Sequence, residues 1–332
     1  MNFIKKLLSF LFSLIKIVLI PILVALVFFV GGSHLDASPI PAISNVSDFN
    51  YVLNYIGCNS NIPVVKNTLT SVSLQEYKSN STFDPVFYPH YGMLNDEQKV
   101  IYAQFYDKIS DMKKSFIIYQ PNITQEEAEL IWTSVVYDHP ELFWSANECT
   151  FVSNKDGNNV LGAKLSYYNF GNIEKAKSDF ENSANNILKE LDTVRTNQGK
   201  EMLIHDKLVG IAQYDVNANF NQSAYSALVG GRSVCAGYSR AYQYLLTKAG
   251  IPCYYATGWS EENHAWNIVK IDDEFYNVDV TWDAALRTHS FFNRTDEDLA
   301  PTHTRTDLAI KLPVCDGETY HNTDAIPPII VQ

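Results

Sequence analysis

The sequence lacks the motifs of several large functional classes. It has no Gly-x-x-x-x-Gly-Lys loop, which would indicate a nucleotide site, and no His-Glu-x-x-His run, which would indicate a zinc enzyme. It also has no internal repeat and no low-complexity tract. Positive charge is scarce, with 25 Lys and Arg against 37 Asp and Glu and a net charge of −12. We therefore expect no nucleic-acid partner, because long-range attraction to phosphate needs a basic surface.

Charged residues are also missing from most of a segment near the N-terminus. Residues 7–33 are uncharged apart from Lys16, and Lys5 and Lys6 precede them. The segment is long enough to cross a bilayer, and the positive-inside rule places everything after Ser33 outside the cytoplasm. We predict a membrane anchor over residues 1–34, with a single-pass protein exposed at the cell surface. The alternative is a cleaved signal segment and a secreted product.

Cysteine is sparse, with five residues in the chain: Cys58, Cys149, Cys235, Cys253 and Cys315. An odd count in an exported protein indicates at least one free thiol, which can be reactive. The other four either form two disulfides, in one of three pairings, or remain buried reduced thiols. The sequence leaves these alternatives open.

The remainder of the chain divides into three parts. Residues 35–92 mix Pro, Ser and Asn with short apolar patches and indicate a linker or stalk. Residues 93–196 form a helical and β-hairpin region, and residues 197–332 form the part that carries the chemical motifs.

Local signals predict the elements of the middle part. Cap residues at Asn95 and Thr124 begin two helices, and the second ends before Pro140. Alternating apolar residues predict a hairpin, and longer helical patterns follow it. The predicted strands are 149–153 and 160–168, and the predicted helices are 173–194 and 202–216.

The last third predicts one helix followed by three strands. The helix covers 236–249, and the strands cover 253–259, 264–271 and 275–282. A tight turn at Asp272-Asp273 joins the last two strands, and loops follow Asp283. The predicted fold class is α+β, with a helix packed on an antiparallel sheet.

Cys235 begins the predicted helix directly after a turn at Gly230-Gly231. The N-terminus of a helix carries partial positive charge, which favours a thiolate and therefore a nucleophile. Two further residues fall on the hairpin. If the turn has two residues, His264 and Asp279 share one face as diagonal neighbours, so the carboxylate can orient the imidazole. A register shift by one residue would separate them.

The span from Gly230 to Asp283 resembles the transglutaminase-like superfamily. The matching strings are Val234-Cys235-Ala236-Gly237-Tyr238, His264-Ala265-Trp266-Asn267 and Val278-Asp279-Val280-Thr281-Trp282-Asp283. Looser matches occur at His205-Asp206, Tyr214-Asp215 and residues 140–144. The resemblance implies a papain-like core with Cys235 as nucleophile, His264 as general base and acid, and Asp279 as the orienting carboxylate. It implies no cofactor.

The superfamily includes transglutaminases, proteases, other amidases and inactive members, so three functions remain open. The first is hydrolysis of peptide or amide bonds, with a peptide, a protein or a cell-wall peptide as substrate. The second is protein crosslinking, and the third is a catalytically inactive binding module at the cell surface. We favour hydrolysis, because Glu261 and Glu262 make one rim of the expected groove acidic and wet.

Other candidate residues carry weaker signals. The backbone N–H of Cys235 is one expected oxyanion donor, and Tyr214 is either the second donor or a packing residue. Trp266 either lines the substrate groove or belongs to the core. His289, His303 and Asp307 lack the spacing of metal ligands, so we predict no metal site and expect these histidines to be surface or capping residues.

Overall fold

The computed structural model describes residues 77, 79–118, 123–153 and 157–324. The predicted anchor at residues 1–34, Cys58 and most of the turn between the two hairpin strands lie outside the described residues. In the part of the chain that is described, no helix is long and apolar enough to span a membrane.

Helices and strands alternate along the described chain. The helices are α1 (Pro89–Gly92), α2 (Asp96–Ser110), α3 (Gln125–Asp138), α4 (Ile173–Leu188), α5 (Asn197–Ile211), α6 (Ala224–Leu228), α7 (Cys235–Lys248), α8 (Val280–Leu286) and α9 (Asp296–Leu299). The strands are β1 (Ser115–Ile117), β2 (Ser145–Ser153), β3 (Val160–Tyr167), β4 (Gln213–Tyr214), β5 (Arg232–Ser233), β6 (Cys253–Ser260), β7 (Glu262–Ile271), β8 (Glu274–Val278) and β9 (Thr304–Arg305). Short 3₁₀ turns follow at Lys189–Thr193 and Asp307–Lys311.

The helices and hairpin of the first layer form where the sequence predicts them. Asn95 and Thr124 both make full capping boxes, with Gln98 and Glu127 respectively, and α3 stops just before His139-Pro140. Strands β1, β3 and β2 form an antiparallel sheet in that order. These predictions are confirmed because caps and hairpin periodicity act over a few residues.

Residues 79–92, which the sequence analysis places in a linker, pack onto this layer. The ring of Phe83 lies edge-on against Tyr102 at 5.1 Å. His90 is buried, and its Nδ1 lies 2.7 Å from Asp138 Oδ1. The folded region therefore begins before residue 93.

The second layer is an antiparallel sheet with the order β8-β7-β6-β9, and α7 packs against β6 and β7. Asn267 pairs with Val278 and Ile271 with Glu274, so the turn at Asp272-Asp273 has two residues as predicted. One hydrophobic core joins the two layers, from Phe105 on α2 to Val278 on β8. The α+β class is thereby confirmed.

The structure also departs from the prediction in the elements around the site. Strand β8 ends at Val278 instead of Trp282, because Asp279 caps α8 through the backbone N–H groups of Thr281 and Trp282. Helix α5 ends at Ile211, so Tyr214 lies on a short strand paired in parallel with β5. The region after Asp283 contains α9 and β9, and β9 adds a fourth strand to the sheet.

Candidate active site

Cys235 is the first residue of α7, as predicted, and is 9% exposed. The loop before it packs so tightly on the helix that only glycine fits at position 237. A Cβ there would lie 1.9 Å from Ser233 Oγ and 2.7 Å from the carbonyl oxygen of Asn221. Cys235 thus lies at the N-terminus of α7, where the helix dipole carries partial positive charge.

Ser239 ties the first turns of α7 to the strand that carries His264. Its hydroxyl lies 2.9 Å from the carbonyl oxygens of both Cys235 and Ala265. Asn267 on β7 adds a second tie, because its side-chain amide donates to the carbonyl of Ser239 at 3.0 Å. The helix and the strand are thus held in a fixed relation at the point where the thiol and the imidazole meet.

The imidazole of His264 lies between a carboxylate and the thiol. Its Nε2 is 2.7 Å from Asp279 Oδ2, and Cys235 is within hydrogen-bonding reach of the ring. Since Asp279 occupies Nε2, Nδ1 is the atom left for the sulfur. Burial lowers the pKa of His264, but the charge and hydrogen bond of Asp279, and then those of Cys235, outweigh it and raise the pKa to about 10. The site therefore favours the imidazolium form near neutral pH.

Asp279 is fully buried and bonded on both oxygens. Its Oδ1 accepts the backbone N–H groups of Thr281 and Trp282 at 2.9 and 3.1 Å. Burial alone would raise the pKa of this carboxyl, but His264, followed by His303, holds it below its usual range. The group is an anion that the start of α8 fixes in place.

His303 also joins the site, which the sequence analysis missed. Its Nε2 lies 3.1 Å from Asp279 Oδ2, and the residue is buried instead of being a surface or capping histidine. No periodic pattern or motif links it to Asp279, since the loop around α9 carries it to the site. His264, Asp279 and His303 bring one ligand atom each within 4.8 Å of one another, as do His205, Asp206 and His289. Asp307 joins neither group among the described residues.

An open groove of about 490 Å³ runs along one side of His264. Tyr214 is 47% exposed and lines it, and its hydroxyl bonds to Glu262. Burial and the negative charges nearby raise the pKa of Tyr214 to about 12, so the hydroxyl keeps its proton. Glu261 forms the rest of the acidic rim, as expected.

Of the two tryptophans beside the site, Trp282 lies in the groove and Trp266 lies in the core. Trp282 ends the predicted strand 275–282, but it lines the groove because strand β8 ends early and the backbone turns into α8. Trp266 is buried, and its Nε1 donates to Asn277 Oδ1 at 3.1 Å. Trp266 was expected either in the groove or in the core, and it belongs to the core. Its ring stacks on the His264 ring at a centroid distance of 6.2 Å.

The other described cysteines are free thiols, so they make no disulfide with one another. Burial raises the pKa of Cys149 to about 12, and burial also raises the pKa values of Cys253 and Cys315. These thiols are poor nucleophiles.

Residues 185–280 match the family model described as the transglutaminase-like superfamily. This part of the chain is therefore similar to the transglutaminase-like superfamily. The matched range includes Cys235, His264 and Asp279, whereas His303 lies beyond it. Among curated proteins no significant relative is found.

Three solved structures similar to this domain each align with 40% of the chain. One is a TGase, with 15% identity and a TM-score of 0.28 over 44% of that protein. A candidate cysteine protease from Cytophaga hutchinsonii has 15% identity and a TM-score of 0.28 over 61% of its length. A candidate protease from Parabacteroides distasonis has 12% identity and a TM-score of 0.25 over 30%. The chain thus spans less than two thirds of each of these proteins.

Proposed function

We propose that this protein is a cysteine-dependent acyl-transfer enzyme that hydrolyses peptide or amide bonds outside the cytoplasm. The main support for the proposal is that Cys235, His264 and Asp279 lie next to one another in this order. A thiol at a helix N-terminus faces an imidazole whose far nitrogen is held by a buried carboxylate.

The reaction begins with the Cys235 thiolate and the His264 imidazolium. The sulfur attacks the carbonyl carbon, and the backbone N–H of Cys235 donates to the oxyanion. The C–N bond then breaks, the departing nitrogen takes the proton from His264 Nδ1, and a thioester remains on Cys235. Water attacks the thioester while His264 takes one of its protons, the C–S bond breaks, and the carboxylic acid leaves as the Cys235 thiolate and the His264 imidazolium are restored. Tyr214 is the candidate second oxyanion donor, provided that its hydroxyl turns from Glu262 toward the substrate.

The groove favours water over a second protein substrate as the acyl acceptor. Tyr214 and Trp282 line it, but Glu261 and Glu262 leave one rim charged and solvated. A transferase has to keep water away from the thioester, which calls for apolar walls. Crosslinking remains the rival function, because an acidic rim also attracts a lysine amine.

The deciding experiment supplies a fluorescent primary amine together with a glutamine-rich protein, short peptides or cell-wall peptides. We expect release of free acid to exceed amine incorporation from pH 6 to 9. Cys235→Ala should abolish both, whereas Cys149→Ala, which removes another free thiol, should change neither. Amine incorporation above acid release would make the protein a crosslinking enzyme, and no turnover with any substrate would favour the binding module.

We also propose that the N-terminal segment anchors the enzyme in the cell membrane, with the rest of the chain outside. The support is the uncharged stretch within residues 7–33 and the lysines that precede it. Protease added to intact cells should digest the domain and leave the N-terminal segment in the membrane. A mature N-terminus near Gly32 to Ala37 would instead show signal cleavage and a secreted product.

A further inference from the structure

Asp279 keeps its charge in a place that water does not reach. A buried carboxylate is costly unless hydrogen bonds satisfy its lone pairs. Two backbone N–H groups satisfy Oδ1, and His264 Nε2 binds Oδ2 at 2.7 Å. The remaining position on Oδ2 is filled by His303 Nε2 at 3.1 Å.

The ring of His303 is itself fixed. Its Nδ1 lies 2.8 Å from Thr302 Oγ1, and its backbone N–H donates to the carbonyl of Leu299 at 2.7 Å. The face of the ring is closed by Trp266, with ring centroids 5.1 Å apart and planes at 76°. A ring held in this way has little freedom to turn its Nε2 away from Asp279.

We propose that His303 is a positioning residue of the site, and that its hydrogen bond holds Asp279 as an anion with Oδ2 directed at His264. The inference rests on the function proposed above. Without the His303 N–H donor, the buried Asp279 carboxylate takes up a proton more readily. That proton can come from His264 Nε2. The imidazolium beside Cys235 is then less populated, and so is the thiolate that it stabilises.

The other charged groups near His303 are paired elsewhere, so they do not compete with Asp279 for its Nε2. His303, Asp296 and Arg305 line a cavity of about 320 Å³. Asp296 and Arg305 form an ion pair with each other. His264 approaches the ring to a centroid distance of 5.6 Å, but its Nε2 is bonded to Asp279. The cavity also offers a small molecule a way to the position of the ring.

The test follows alkylation of Cys235 by iodoacetamide from pH 5 to 10, which needs no knowledge of the substrate. His303→Phe keeps a ring in place but removes the donor. We expect the pH of half-maximal alkylation to move up by about one unit, the effect of losing one charge-assisted hydrogen bond. His303→Gln keeps an N–H donor and should move the pH of half-maximal alkylation by less. The control is His289→Phe, which breaks an exposed histidine–carboxylate pair elsewhere and should leave the profile unchanged.

Chemical rescue separates donation from packing. His303→Ala should show the same upward shift, and added imidazole should reverse it by entering the cavity that His303 lines. If His303→Phe does not fold, Thr302→Val, which releases Nδ1 of the ring, should give a smaller shift in the same direction. An unchanged profile in a folded His303→Phe or Thr302→Val protein overturns the proposal, and so does a lack of rescue.

The failure of this proposal is distinct from the failure of the proposed function. If His264→Ala moves the alkylation profile and His303→Phe does not, only the role of His303 is wrong. If the wild-type profile has its midpoint near 8.5, as for an ordinary thiol, and His264→Ala does not move it, the proposed function itself fails.

Discussion

At the scale of single residues, Asp279 is the point where folding and chemistry meet. Its Oδ1 begins α8 and its Oδ2 holds His264, so the same side chain that ends strand β8 also orients the imidazole. The pairing of His264 with Asp279 could be predicted from the sequence, whereas the end of strand β8 could not. The two-residue turn fixes the facing residues, but a cap is recognised only when the helix after it is known.

Two substitutions of Asp279 should separate the roles. Asp279→Asn keeps an oxygen for the backbone N–H groups of α8, but its amide cannot accept from His264 Nε2, so the wrong tautomer is favoured. Turnover should fall by about 10³-fold or more with the melting temperature nearly unchanged. Asp279→Ala should lose turnover and also about 1–2 kcal/mol of stability through the missing cap. Kinetics and urea unfolding of both variants check this, and equal destabilisation by Asn and Ala would contradict it.

Glu201 is a buried acid that lies outside the site. It is fully buried on α5, and Asn293 donates to its Oε2 at 3.1 Å. Burial raises its pKa to about 8, although the Asn293 hydrogen bond and the charge of His205 act in the opposite direction. Because the folded pKa exceeds the unfolded one, the stabilisation is complete below about pH 4.3 and is lost as the pH rises toward 8.

Glu201→Gln should remove this pH dependence. The amide keeps an acceptor for Asn293 and has no charge to bury. The variant should be more stable than the wild type at pH 8 to 9, by roughly 1.4 kcal/mol for each unit of the pKa difference, and similar to it near pH 4.5. Unfolding curves at several pH values measure the difference. A variant that is less stable at pH 9 would show that the carboxylate has a partner in the folded state.

At the scale of elements, strand β9 places the preceding residue, His303, beside the triad. A glycine on β6 allows β9 to pair with the sheet. Gly258 pairs with Arg305, and a Cβ on Gly258 would lie 2.0 Å from the carbonyl oxygen of Thr304 and 2.7 Å from the Trp266 ring. The clash is with backbone, so it cannot be relieved by a rotamer change. The pairing joins residues that are far apart in sequence, which is why local patterns predicted loops here.

Gly258→Ala should therefore push β9 away from the sheet. We expect a loss of about 1–3 kcal/mol of stability, as for an overpacked core, together with the upward shift of the Cys235 alkylation profile described for His303. Gly210→Ala is the matched control, since no atom lies within 4 Å of its added Cβ. A Gly258→Ala protein with normal stability and normal alkylation would show that β9 does not position His303.

At the scale of the whole molecule, the sequence predicted the α+β class, the helix start at Cys235 and the register that unites His264 with Asp279. These features depend on caps, periodicity and a two-residue turn. The sequence did not predict how the two layers meet, because those contacts are tertiary. Gln243 on α7 donates to the carbonyl of Tyr137 at 2.9 Å, and the ring of Tyr137 packs on Tyr255 at 5.0 Å. The same limit applies to Trp282, which faces the groove only because α8 begins where a strand was expected.

The central claim is that Cys235 is an activated nucleophile, and the most direct measurement is to map which cysteine reacts first. The folded protein is treated with iodoacetamide at pH 6 to 7, and each cysteine is followed by peptide mass spectrometry. Cys235 lies at the N-terminus of α7 within hydrogen-bonding reach of His264, so it should be modified first in this pH range. Cys149, Cys253 and Cys315 should remain unmodified, because burial raises their pKa values. Faster modification of Cys58, Cys149 or Cys315, or a Cys235 rate that rises only above pH 8, would contradict the account.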